Sequence, residues 1–168
     1  MSRWLLLTRN HSLGLGVVVA AAAALAIALS AQYFAGLSPC ALCLIARWPY
    51  RFALVLGAAA LILPYRYARL ALWLALLCFI ADMAVGWVHV GVEFGWWKSP
   101  LSECSAPALD GLSGSALLAA MPLRPVTPCD AVVYLIPGFN VSMAMMNLIY
   151  AAFCGTALAG FLIGKTRP

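Results

Sequence analysis

The stretch LGLGVVVAAAAALAIALSAQYFA, Leu13–Ala35, runs for 23 residues without a charge. A bilayer core is crossed by about 20 apolar residues in α-helix, so this segment reads as a membrane span. Directly after it comes Gly36-Leu-Ser-Pro39-Cys40-Ala41-Leu42-Cys43. Working outward, Leu44–Leu63, Leu70–Val92 and Val141–Ile163 have span length too; the third of the four carries one acid, Asp82, and the last carries no charge. The second holds Arg47, Pro49 and Arg51 in its first half. A helix opened at Pro49 would have about 15 residues and reach only about 22 Å. The helix is therefore expected to begin near Cys43, with Pro49 kinking its first turns and the arginines snorkelling towards water. The expected fold is all-α: a four-transmembrane-helix bundle forming one membrane domain over residues 1–168. A long outward loop, Phe94–Asn140, joins helices 3 and 4.

Composition agrees. The chain is 65% hydrophobic and 9% charged, against roughly half and about a quarter for a soluble domain. One soluble core of 168 residues cannot hide that much apolar surface. The net charge of +5 is no sign of nucleic-acid binding, because basic residues beside spans record orientation. Arg3 and Arg9, Arg66 and Arg69, and Lys165 and Arg167 flank the spans in segments without acids, which assigns both termini to the cytoplasm. Ser38–Cys43 and the Phe94–Asn140 loop then face outward. Lys98 and Arg124 in that loop are diluted by Glu103, Asp110 and Asp130. The first span exceeds the usual signal-peptide core of about 7–15 residues and is read as a retained anchor. Within the loop, Gly114–Met121 is a candidate short helix on the membrane surface.

Six cysteines sort by position. Cys78 and Cys154 sit in the middle of spans and read as small buried hydrophobes. Cys40, Cys43, Cys104 and Cys129 lie at or outside span ends on one side, as paired cysteines do in an oxidising compartment such as a bacterial periplasm. At a helix start, a C-x-x-C sulfur meets unpaired backbone N–H groups, and the helix dipole and nearby cations favour its thiolate. Cys43 and Arg47 are spaced i, i+4 on one helix face, and Pro39 stops an earlier helix from running through Cys40. Leu44, where covalent haem attachment needs histidine, excludes that use. A four-cysteine zinc site is loose, with 60 and 24 residues between its parts and no nearby histidine. Redox chemistry without a metal is the reading kept; structural disulfides are its rival.

These features together resemble the disulfide bond formation protein B family, DsbB. The likeness covers nearly the whole chain: four spans, C-x-x-C opening the second with Arg47 after it, and a paired-cysteine loop before the fourth. His89-Val-Gly-Val-Glu93 and Ser142-Met-Ala144 with Asn147 are similar to the family as well. The chain departs from the family pattern around Pro137-Gly138, where the tryptophan expected shortly after Cys129 is missing.

The resemblance implies an inner-membrane protein-dithiol:quinone oxidoreductase that reoxidises a periplasmic DsbA-like thiol oxidase, a system that keeps the bacterial periplasm oxidising. It implies attack by the reduced partner on a Cys104–Cys129 disulfide at Cys104. Cys129 then attacks Cys40, and Cys43 is released as a thiolate beside the quinone, ubiquinone or menaquinone. Arg47 is expected to favour the thiolate and the charge developing on the quinone; His89 is a candidate to hydrogen-bond or protonate it, or an interfacial histidine that only hydrates. A vitamin K epoxide reductase-like protein would place the loop pair before the C-x-x-C; here it follows. A scaffold braced by two disulfides is the non-enzymatic alternative.

Three further expectations come from the residues. Asp82 lies deep in a span, where an acid is costly, and is expected to hydrogen-bond Asn147 or another helix rather than deliver protons. Arg51 is read as a snorkelling interface residue. Trp48, Trp96 and Trp97 are read as an interfacial aromatic belt.

Overall fold

The computed structural model describes residues 2–101, 104, 114–115, 127–135, 138 and 140–164, with side chains from residue 9 onward. Among the described residues, four long helices make the fold: α1, Ser2–Tyr33; α2, Ala41–Ile62; α3, Tyr65–Glu93; and α4, Met143–Ile163. Each is long and apolar enough to cross a membrane, and the chain is an all-α, multi-pass membrane protein. Glu103, Asp110, Arg124, Pro137, Lys165, Arg167 and most of the Gly114–Met121 segment fall outside the described residues.

Helix ends follow local chemistry. Pro39 cannot continue a helix, and Cys40, extended at φ −76° and ψ 170°, caps α2 instead. The helix thus opens at Ala41, ahead of the expected start near Cys43, and passes through Pro49. Pro64 sets off α3 at Tyr65, five residues before the expected Leu70. At the other end of the bundle, two glycines with positive φ close helices: Gly36 at 67° and Gly95 at 70°. Each turn brings a later N–H back onto its helix, Leu37 onto Ala31 O and Trp96 onto Gly91 O, the usual left-handed C-terminal cap.

The α1–α2 and α2–α3 pairs pack most extensively, and α4 docks chiefly on α3. Where α1 crosses α2, an added Cβ at Gly57 would lie 2.9 Å from Val17 Cγ1. That contact needs a residue without a side chain. Small residues such as Ala21, Ala53, Ala60 and Ala75 fill the buried core around Leu72 and Phe79. In lipid, close backbone approach supplies the packing that exclusion of water supplies elsewhere. Outward faces carry large apolar side chains, Phe153 and Ile62 among them. Two helix connections, 34–40 and the segment after Glu93, lie at one end of this bundle, and that end holds the cysteines.

Candidate functional site

Capping of α2 places the first sulfur pair. Cys40 Sγ accepts the Cys43 backbone N–H at 3.3 Å, and the two sulfurs lie 3.1 Å apart as free thiols. The C-x-x-C spacing produces this geometry, because a residue three positions into the first turn directs its N–H at the cap. α3 supplies the third member: His89 Nε2 sits 3.5 Å from Cys40 Sγ. Cys40 lies outside the spanning helix, and its thiol is held far below its ordinary 9.0, at about 4. The side-chain hydrogen bond with Cys43 is the main cause; the His89 ring and the Cys43 N–H add to it, against burial, which pushes the thiol up.

The second pair is a disulfide, Cys104–Cys129, with Cα atoms 4.8 Å apart. It lies against the first. Cys40, Leu42, Val92, Cys104 and Cys129 form one buried cluster, with Ala41, Cys43 and Leu101 packed around it. Thr127 Oγ1 donates to Ser38 O at 2.9 Å, tying the segment before Cys129 to the turn before Cys40. Ser142 both caps α4, accepting from Met145 N, and donates to Glu93 at the end of α3. The ends of three helices are thereby fixed around the sulfurs.

Below them lies a pocket enclosing about 800 Å³ of space, part of it open. Its walls are mainly apolar, from Ala24, Leu25, Ala28, Val133 and Met143, with Cys40, Cys43, Arg47, His89, Tyr50 and Asn147 converging on it. Arg47 does not snorkel as expected; it is only 8% exposed. Its guanidinium donates to Gln32 Oε1 at 2.7 Å and to Ala28 O at 3.4 Å, which hold it across the pocket against α1. Arg47 Nε has no hydrogen-bond partner among the described residues. Arg51, one turn on, is exposed and stands 4.9 Å over the Trp48 ring, as an interface residue does. Trp48, Trp96 and Trp97 are exposed near the same end.

Deeper, Tyr50 OH donates to Asn147 Oδ1 at 3.0 Å, and Asn147 Nδ2 donates to Asp82 Oδ2 at 3.0 Å. Asp82 is wholly buried, and its Oδ1 is unpartnered. The expected Asp82–Asn147 hydrogen bond is present, and it joins α2, α3 and α4 under the pocket floor.

All six residues singled out from the sequence, Cys40, Cys43, Arg47, His89, Cys104 and Cys129, converge at this end. Two points differ from expectation. The sequence places no histidine near the cysteine pairs, whereas packing of α3 on α2 buries His89 beside Cys40. Arg47, expected to snorkel towards water, spends its hydrogen bonds on α1 instead. Gln32 was missed. Its signal was available: an amide in the outer third of an otherwise apolar span needs a partner. Thr127 and Tyr50 carry no comparable mark.

No curated protein and no solved structure matches the chain. The family model of disulfide bond formation protein DsbB matches residues 10–161. Four membrane helices and two cysteine pairs meeting at one end agree with that match, and the chain belongs to the DsbB family of disulfide-forming membrane oxidoreductases.

Proposed function

We propose that the chain acts as one membrane domain that reoxidises a periplasmic DsbA-like dithiol protein and passes the electrons to a membrane quinone. The observation that carries this reading is the single buried cluster containing Cys40, Cys104 and Cys129, set directly over an apolar pocket. A partner thiolate opens Cys104–Cys129 by forming a mixed disulfide at Cys104; its second thiol closes the partner's disulfide and frees Cys104. Cys129 then attacks Cys40 of a closed Cys40–Cys43 bond, displacing the Cys43 thiolate, and Cys104 resolves the Cys129–Cys40 bond. Two electrons have moved inward, and the Cys40/Cys43 pair is reduced.

The pocket suits a quinone head group. Its walls are mainly apolar, with a few polar groups converging on it, as in sites that take small ligands. The unpartnered Arg47 Nε and the His89 ring supply polar contacts at its edge. Arg47, His89 and Cys43 would hold the ring, and the quinone, when bound, supplies a two-electron, two-proton acceptor. Gln32 and Ala28 O pre-orient Arg47, so its charge is in place without reorganisation. Burial of both loop sulfurs, Cys104 at 3% and Cys129 at 0% exposure, means that an external thiolate reaches Cys104 only when the cluster opens.

Arg9, Arg66 and Arg69 favour cytoplasmic termini and a periplasmic cysteine end by the positive-inside rule, in a bacterial inner membrane. The test is quinone-dependent oxidation of a reduced thioredoxin-fold dithiol protein by the purified chain. A Cys129→Ala variant should accumulate a covalent adduct through Cys104. A chain that binds quinone and never consumes it would sink the proposal in favour of a scaffold.

A further inference from the structure

Cys40 Sγ, Cys43 Sγ and His89 Nε2 all lie within 4.8 Å of one another. From this we infer a second use for the reduced pair: with His89 it forms a three-ligand site for a thiophilic d10 cation such as Zn2+. Bound there, the cation withholds both sulfurs from disulfide exchange. The inference does not depend on quinone or on any partner protein.

The donor set and its geometry argue for it. Two thiolates and an imidazole select soft and borderline cations over Mg2+ or Ca2+. A tetrahedral Zn2+, with bonds of about 2.3 Å to sulfur and about 2.0–2.1 Å to nitrogen, sets sulfur and nitrogen about 3.6 Å apart and two sulfurs about 3.8 Å apart. Cys40 Sγ and His89 Nε2 already stand at 3.5 Å. The sulfurs, at 3.1 Å, need part by only about 0.7 Å to match that spacing, which side-chain rotation supplies. The Cys43 N–H already donates to Cys40 Sγ, as an outer hydrogen bond does for a coordinated thiolate. Arg47, which lines the same pocket, directs its NH1 and NH2 donors to Gln32 Oε1 and Ala28 O. Glu93, one turn from His89 and lining the same pocket, adds an acidic group. All three ligands line the pocket, which leaves a fourth position open to water and the cation exchangeable.

Coordination involves no electron transfer: each thiol that still carries a proton releases it, and the cation takes the sulfur lone pairs. Closing the Cys40–Cys43 disulfide consumes those lone pairs and expels the cation. Occupancy therefore reports the reduced state and protects it.

The experiment uses the whole chain with Cys78, Cys104, Cys129 and Cys154 replaced by alanine, so that Cys40 and Cys43 are the thiols that remain. Zn2+ is titrated against a chromophoric chelator, with Cys40 and Cys43 either reduced or joined. The expected result is one equivalent bound by the reduced chain alone, sulfur-to-metal charge-transfer absorption when Co2+ replaces Zn2+, and a marked loss of affinity in His89→Ala. His89→Cys, which offers another soft donor, should restore binding. Equal binding by the oxidised chain overturns the inference, as does an affinity indifferent to His89→Ala. A loss that His89→Cys leaves unrepaired counts against ligation by residue 89. Closure of the disulfide by added oxidant should slow at saturating Zn2+ and recover with chelator; an unchanged rate removes the protective role.

Discussion

The two cysteine pairs meet in one cluster but are held there by different forces. Cys40 and Cys43 owe their places to a helix start: Pro39 ends the preceding chain, Cys40 takes the extended cap conformation, and the first turn directs the Cys43 N–H onto its sulfur. Cys104 and Cys129 owe theirs to each other and to what they rest on, a covalent bond between two segments, the Cys129 N–H on Cys104 O, and the packing against Cys40 and Val92. The first pair has donors suited to a thiolate. Among the described residues, the second has none beyond the backbone. A relay through unequal pairs has a direction, because exchange favours the more stable thiolate as the leaving or resting form.

Removing the loop pair gives the largest effect. Cys104→Ser should bring oxidation of a reduced partner down to the uncatalysed level, while Cys40 and Cys43 still exchange with added quinone in a stopped-flow assay. If both activities vanish together, the pairs are not separable and the comparison fails. Arg47→Ala tests the inner pair next. Hydrogen bonds to charged groups are worth about 1.5–3 kcal/mol, so quinone reduction should fall about tenfold to hundredfold while the rate of mixed-disulfide formation at Cys104 holds. Equal loss of both rates would deny Arg47 its place in the inner step.

A pH measurement sharpens the contrast. With its folded pKa lowered from 9.0 to about 4, Cys40 remains a thiolate through neutral pH and protonates only as pH falls through about 4. The ultraviolet thiolate absorbance of the reduced chain should persist to that point and then disappear. The contribution of Cys40 to the stability of the reduced fold is full above pH 9.0, is lost as pH falls towards 4, and is absent below. His89→Ala removes one of the stabilising contacts and should move the transition upwards. An unmoved transition would leave the thiolate to Cys43 alone.

Much of this architecture was legible in the chain. A span is read by length, and Leu13–Ala35 or Val141–Ile163 has few other uses. Pro39 and the C-x-x-C mark a helix start whatever lies around them. Asp82 was expected to find Asn147 because a buried carboxyl needs a partner, and it does. What escaped the sequence depends on packing between helices. His89 stands 49 residues from Cys40, on another helix, and its ring reaches the sulfur only because α3 packs on α2. Arg47 was expected to reach for water; the nearer option was Gln32, 15 residues back and uncharged. Snorkelling is the choice of an arginine with no acceptor inside.

The smallest effect bears on the seam between the pairs. Thr127 Oγ1 on Ser38 O is a hydrogen bond joining the loop to the Cys40 turn, and its donor is exposed. Such a bond contributes about 0.5–1.5 kcal/mol net. Thr127→Val keeps the shape and removes the donor, so neither pair changes chemically. Transfer from Cys129 to Cys40 should slow by a few-fold, read as slower reduction of the inner pair after the partner has bound. Mixed-disulfide formation at Cys104 should hold or quicken, since a looser loop opens the cluster more readily. Slowing of both steps alike would mean that the bond supports the fold of the loop, and that the contact between the pairs rests on the buried sulfurs themselves.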